Sequence, residues 1–239
     1  MKLNATLFAA AILSGSMAAA FAADITGKVT LDGTPPKEIP IQPLMDDRFC
    51  GPLHTDGPVM TRNYVVSADK GLANTFVYVK AGLEGKKFDL PAGPEPLLDQ
   101  VACIYEPYVL GVMVNQKIKV RTSDATLHNV HSLSAKTENS FNFAQMTKGQ
   151  ENEKTFGAAE LPVTVKCDVH SWMFAYVGVF EHPFFAVTDK DGAFKITGLP
   201  AGKYTLEAFH RKAGKTTQEI TVGGDNQKVD FTLKAPIPQ

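Results

Sequence analysis

The chain has 239 residues, and its 24 basic and 25 acidic side chains give a formal net charge of −1. A chain so close to neutrality has no electrostatic attraction for a polyanion, so we expect no nucleic-acid partner. The length suffices for one large β domain or two smaller ones, each with its own core.

The amino terminus has the pattern of a secretory signal. Lys2 precedes an apolar run from Leu7 to Leu13, and a stretch of small residues ends at Ala22 in the A-x-A form of a cleavage site. We therefore expect residues 1–22 to be a signal peptide cut after Ala22, and the mature protein to be exported and periplasmic. An uncleaved anchor is the alternative. No other window reaches the 18 or so apolar residues that a spanning helix needs, so no membrane span is expected in the mature chain.

The first strand signal is the segment 25–31, which alternates apolar and polar residues and ends at a turn of Asp32 and Gly33. Alternation with period two is typical of a half-buried strand. No long helical stripe occurs, so the sequence predicts an all-β class. Pro- and Gly-rich stretches at 34–43 and 82–96 predict surface loops. Further alternation lies at 76–79, 118–121 and 163–167.

A second unit is predicted from residue 183 to 239, where short strands are separated by tight turns. The pattern Asp-Gly-x-Phe at 191–194 and the pattern Gly-Leu-Pro-x-Gly-x-Tyr at 198–204 resemble the carboxypeptidase regulatory-like domain, a transthyretin-type β-sandwich. The resemblance implies no active site here. With about 55 residues the unit is close to the lower limit for an independent core, so we expect it to pack against the first domain.

One short segment carries a set of metal donors. Cys167, His170 and Met173 offer a thiolate, an imidazole and a thioether at intervals of three residues. Such a soft set suits copper, whereas magnesium and calcium require oxygen ligands and zinc rarely takes a thioether. A second imidazole is needed, and we expect it from His128 in the strand-like segment 126–131.

The segment His128-Asn129-Val130-His131 followed by Cys-x-x-His-x-x-Met resembles the cupredoxins, the small blue-copper proteins, and the short spacing resembles the amicyanin branch. The resemblance implies a Greek-key β-sandwich over residues 23–182. It also implies that His128, Cys167, His170 and Met173 bind one copper ion, with Met173 as the axial ligand. The implied function is one-electron transfer without catalysis, with a haem or copper enzyme as the redox partner protein.

Side-chain alternation decides which of the two upstream imidazoles reaches the metal. In a strand His128 and Val130 share one face, and Asn129 and His131 share the other. We therefore expect a structural role for His131, and the resemblance suggests that Asn129 fastens its strand to the Cys167 loop. We expect His170 at the solvent-exposed edge, as the port for the electron.

The chain contains three cysteines, so in an oxidising compartment one of them has a role other than pairing. If Cys167 is the metal ligand, Cys50 and Cys103 are left to form a disulfide. The alternative is that Cys50 and Cys103 are buried and reduced.

Three other functions remain open at this point. The first is a periplasmic copper-carrying or storage module that delivers metal to an acceptor. The second is a copper enzyme with an open coordination position, against which Met173 counts as a fourth protein ligand. The third is a structural envelope module that binds no metal.

Overall fold

The computed structural model of the protein describes residues 22–236. Apart from Ala22, the predicted signal peptide lies outside these residues. Within them the chain forms seventeen strands, one four-residue α-helix and two short 3-10 turns. No helix in the described part is long and apolar enough to cross a membrane.

The elements follow one another along the chain with short connections. The helical pieces are α1 (Gln42–Met45) and the 3-10 turns Gly51–Leu53 and Thr137–Asn139. The first eight strands are β1 (Ala22–Asp32), β2 (Phe76–Ala81), β3 (Leu97–Val101), β4 (Ile104–Glu106), β5 (Val109–Met113), β6 (Ile118–Thr122), β7 (His128–Leu133) and β8 (Phe141–Gln145). The others are β9 (Glu151–Lys154), β10 (Glu160–Lys166), β11 (Phe174–Phe180), β12 (Phe185–Val187), β13 (Ala193–Pro200), β14 (Gly202–His210), β15 (Gly214–Val222), β16 (Gln227–Lys228) and β17 (Phe231–Lys234).

Two sheets enclose the core that carries the predicted metal ligands. One has the strand order β5-β11-β10-β7-β8, and the other has the order β4-β3-β6-β9. Buried side chains from both sheets form one cluster, with Val120 from β6, Val130 from β7 and Val165 from β10. Alternation along these strands places one side chain in two in that core, which is why the period-two signal is visible in the sequence.

A second pair of sheets forms the other sandwich. Its sheets have the orders β13-β1-β16, with β17 also paired to β1, and β12-β2-β14-β15. Ile25 from β1, Val77 from β2 and Leu206 from β14 lie in its core. The all-β class with two β-sandwiches is therefore confirmed.

The predicted boundary at residue 183 does not separate the two cores. β1 pairs with β13 and β17, and β2 pairs with β12 and β14, so strands from the amino-terminal part complete the second sandwich. The physical reason is size, because the tail alone has too little apolar surface for a two-sheet core. The assignment of all residues 23–182 to the first sandwich is corrected accordingly.

Candidate metal centre

The loop that carries three of the predicted ligands joins two neighbouring strands. β10 and β11 are antiparallel, and Lys166 pairs with Phe174, so residues 167–173 form the whole connection. The loop is closed by backbone hydrogen bonds. The N–H of Cys167 donates to the carbonyl of Met173 over 3.2 Å, and the N–H of Met173 donates to the carbonyl of His170 over 3.0 Å. This closed turn fixes the spacing of the three side chains.

His128 enters the same region from the adjacent strand. β7 pairs with β10 in antiparallel register, with His131 opposite Lys166. His128 and Val130 are fully buried, whereas Asn129 and His131 are half-buried, as the alternation predicts. The side chain of His128 therefore lies on the core side, next to the start of the loop.

The donor atoms of three residues converge. Nδ1 of His128 lies 2.9 Å from Nδ1 of His170, and Sγ of Cys167 lies 3.7 Å from that same nitrogen of His170. Donor atoms of these three residues all lie within 4.8 Å of one another. Met173 is fully buried in the same cluster as Cys167. A thiolate and two imidazoles around one point, enclosed by apolar side chains, fit a copper ion.

The surroundings of Cys167 favour its thiolate form. Burial raises the pKa of its thiol, but hydrogen bonds with His128 and His170 outweigh this effect and lower the pKa to about 6. The backbone N–H of Asn129 also points at the sulfur, over 3.4 Å. The thiolate is the form that binds metal, so the site is prepared electrostatically for a cation.

Asp124 is a functional residue that the sequence analysis missed. Its Oδ2 lies 2.9 Å from Nε2 of His128. Burial raises the pKa of Asp124, but hydrogen bonds with His128 and with the N–H groups of Cys103 and Ala102 bring it below its usual value. The carboxylate therefore accepts a proton-bearing Nε2, which leaves Nδ1 of His128 free to face the other donors. The signal in the sequence is a carboxylate four residues before His128.

Asn129 connects its strand to the ligand loop. Its Oδ1 accepts a hydrogen bond from the backbone N–H of Asp168, and its Nδ2 donates to Oδ2 of Asp168 over 2.8 Å. His131 also contacts Asp168, with 2.9 Å between Nδ1 and Oδ2. These contacts lie on the outer face of the strand. They tie β7 to the first turn of the loop without touching the converging donor atoms.

The expectation that His170 lies at a solvent-exposed edge is wrong, because only 7% of this residue is exposed. The structure joins Cys50 to Cys103 in a disulfide, the pairing that the cysteine count suggested. Sulfur atoms of both cysteines and a ring nitrogen of His170 lie within 4.8 Å of one another. The segment before Cys103 and the early loop around Cys50 therefore cover His170.

Trp172 is the half-buried ring beside this covered imidazole. Its ring centroid lies 5.0 Å from that of His170, and its Nε1 donates to the carbonyl of Cys103 over 3.0 Å. The side chain thus packs, as expected, and it also forms the wall between His170 and the protein surface.

Comparison with protein families matches one part of the chain. Residues 175–234 match the family model of the carboxypeptidase regulatory-like domain. This agrees with the resemblance predicted for the tail, although the match begins inside β11, before residue 183. None of the curated proteins compared with the chain matches it.

Among solved structures, the chain is similar to a purple cupredoxin from Nitrosopumilus maritimus, with 20% identity, a TM-score of 0.31 and coverage of 36% of this chain and 99% of that one. It is similar to a Cu(I) amicyanin variant, with 24% identity, a TM-score of 0.32 and coverage of 37% of this chain and 85% of that one. A copper-containing nitrite reductase from Thermus scotoductus SA-01 is similar at 15% identity and a TM-score of 0.34, over 42% of this chain. The chain spans 25% of the length of that reductase.

Proposed function

We propose that this protein is an exported mononuclear blue-copper protein that carries single electrons to or from a larger redox enzyme. The observation that carries the proposal is the convergence of His128, Cys167 and His170 within 4.8 Å in a buried pocket. Met173 is the proposed axial ligand, because its thioether belongs to the same loop and the same buried cluster.

Copper held by these residues supplies a one-electron couple. The protein supplies a fixed arrangement of donors. Asp124 holds the ring of His128, Asn129 holds the loop that begins at Cys167, and the hydrogen bonds inside the loop hold His170 and Met173. Fast electron transfer needs little movement between the oxidised and reduced states, and this network restricts movement.

The enclosure of the site favours an electron carrier over the other candidate functions. An enzyme of the open-site type needs room for a small molecule at the metal, but His128 and Met173 are fully buried. A module that delivers copper needs a route by which metal leaves. Here the disulfide between Cys50 and Cys103 fastens the covering segment beside His170.

The electron route that we propose runs through Trp172. Its ring is the neighbour of His170 and is half-buried, whereas His170 itself has almost no exposed surface. The redox partner, a haem or copper enzyme, would dock where Trp172 is accessible. Export to the periplasm belongs to the same proposal and is supported by the signal-like amino terminus.

An optical titration tests the proposal. The protein loaded with Cu(II) is expected to show intense visible absorption from thiolate-to-copper charge transfer, and Cys167→Ser and His128→Gln are expected to lose it. His131→Gln is the matched control, since it removes an imidazole from the outer face of the same strand and is expected to keep the colour. A Cys167→Ser variant that keeps the band would contradict a copper–thiolate centre.

Electron transfer and copper delivery are then separated by kinetics. We expect rapid reduction of the loaded protein by a small haem protein, and slow loss of copper to a chelator in excess. Rapid copper loss with slow reduction would instead identify a module that delivers copper.

A further inference from the structure

A cavity of about 260 Å³ lies on the other side of Trp172 from the metal centre. Its lining includes Arg62, Tyr108, Trp172, Tyr176 and Arg211. None of these residues is a proposed copper ligand, and the proposed electron transfer does not use the cavity. Its chemistry is a combination of aromatic rings and guanidinium groups.

Arg211 is the charge that lacks a counter-ion. One of its terminal nitrogens, Nη2, donates to Oδ1 of Asn63 over 2.8 Å and to the hydroxyl of Tyr108 over 3.2 Å, and both acceptors are neutral. Its guanidinium lies 4.4 Å from the ring centroid of Tyr176. Among residues 22–236 no carboxylate lies within 4.0 Å of Arg211, although the structure pairs Arg62 and Arg121 with acidic side chains. A guanidinium has five N–H donors in a fork that matches a carboxylate, so most of the donors of Arg211 are free for a ligand.

Arg62, in contrast, is already compensated. Its Nη1 donates to Oε1 of Glu106 over 2.6 Å, and its Nη2 donates to the carbonyl of Tyr105 over 3.2 Å. Its guanidinium lies 4.2 Å from the ring centroid of Tyr108. One arginine is therefore neutralised and the other is not, so the cavity has a single positive charge to offer. This favours a monoanion over a dianion such as a phosphate ester.

The walls favour a flat, conjugated ligand. Tyr108 and Tyr176 meet edge to face with 5.3 Å between their centroids, and Trp172 lines the same cavity. Aromatic rings in such arrangements accept a further ring by stacking or edge contact. The volume admits a molecule with one ring and a small charged substituent.

We propose that this cavity binds a small aromatic monocarboxylate, with its carboxylate on the fork of Arg211 and its ring against Tyr108, Tyr176 and Trp172. The ligand would lie one side chain away from His170, with Trp172 between them. The site is separate from the copper donors, so its occupancy and copper binding are measured independently.

Benzoate is the probe for the test, with the full-length protein as purified. Calorimetric titration is expected to show saturable binding of one benzoate per chain. The fluorescence of Trp172 is expected to change over the same concentration range, and it is the only tryptophan in the sequence. Benzamide has the same shape without the charge, and acetate has the charge without the ring. Both are expected to bind at least tenfold more weakly than benzoate.

Arg211→Gln is expected to weaken benzoate binding at least tenfold, because it removes the charged fork. Arg48→Gln is the matched control, since Arg48 is an exposed arginine outside the cavity lining and its loss changes the net charge equally. It is expected to bind benzoate as the wild type does. The comparison of benzoate with benzamide on the wild-type chain needs no variant, so the test stands even where Arg211→Gln fails to fold.

Three results would overturn the proposal: no saturable benzoate binding, equal affinity for benzoate and benzamide or acetate, and equal affinity of folded Arg211→Gln and Arg48→Gln. A failure to load copper would overturn the proposed function but would leave this test unchanged.

Discussion

Asp124 and His128 form a carboxylate–imidazole pair at the base of the candidate metal centre, with 2.9 Å between Oδ2 and Nε2. The opposite ring nitrogen of His128 faces His170. Asp124 is itself fixed by the backbone N–H groups of Ala102 and Cys103, which donate to its two oxygens over 2.7 and 2.8 Å. The pair therefore links the disulfide segment to the first imidazole donor.

Replacing Asp124 is expected to weaken copper binding without removing any ligand. Asp124→Ala frees the ring of His128 and its tautomer, and the loss of such a partner typically lowers metal affinity about 10- to 100-fold. Competition with a Cu(I) chelator measures the affinity. Asp124→Asn keeps one acceptor oxygen, so its loss should be smaller. An Asp124→Ala protein that holds copper as tightly as the wild type would show that the pair has no such role.

The clamp between Asn129 and Asp168 gives a prediction about stability. Asn129→Ala removes the side-chain hydrogen bonds to Asp168 but keeps the backbone N–H that points at Cys167. We expect the free energy of unfolding to fall by about 1–3 kcal/mol in urea titrations. Asn142→Ala is the control, because this exposed side chain also contacts Asp168 but leaves the clamp intact. An equal loss in both variants would remove the special role of Asn129.

The strands of the sandwich could be predicted from the sequence, whereas their partners could not. Alternation locates β1, β6 and β10 because each strand has one buried face. The alternation says which side chains are buried, and it contains no information about the strand that lies alongside. The pairing of β1 with β13, from opposite ends of the chain, is therefore invisible in the local pattern, and this is why the predicted domain boundary was wrong.

The candidate site divides in the same way. The residues that the structure brings together, His128, Cys167 and His170, could be predicted because the sequence spacing itself places their donors on one loop and one strand face. The burial of His170 could not, since its cover comes from the distant segment around Cys50. Asp124 lies in a connection without periodicity, and its partners Ala102 and Cys103 belong to another turn.

The disulfide between Cys50 and Cys103 closes a loop with a sequence separation of 53 residues. The double variant Cys50→Ser/Cys103→Ser releases that constraint in the unfolded chain, and chain-entropy arguments give a loss of about 4 kcal/mol. Urea unfolding measures it. Reduction of the wild type should shift the midpoint by a similar amount, and Cys167→Ser should remain as sensitive to reductant as the wild type. A reduced wild type with an unchanged midpoint would contradict the prediction.

His210 makes the stability of the second sandwich depend on pH. The residue is buried, and burial together with the nearby charge of Arg211 lowers its pKa from 6.5 to about 4. The neutral ring is needed because Nδ1 accepts the backbone N–H groups of Lys212 and Ala213 over 3.3 and 3.1 Å. Between pH 6.5 and 4 the unfolded chain binds more protons at this position than the folded chain. Stability is therefore lost as the pH falls through this window, by at most about 1.4 kcal/mol per pH unit.

The measurement compares urea unfolding of the wild type and of His210→Asn at pH 7 and pH 4.5. Asn offers an oxygen acceptor near the position of Nδ1 and does not titrate, so its stability should fall less between the two pH values. Carboxylates contribute to the pH dependence of both proteins, and the difference between the two proteins isolates His210. Equal losses in the two proteins would mean that the buried ring is protonated as readily in the folded chain as in the unfolded one.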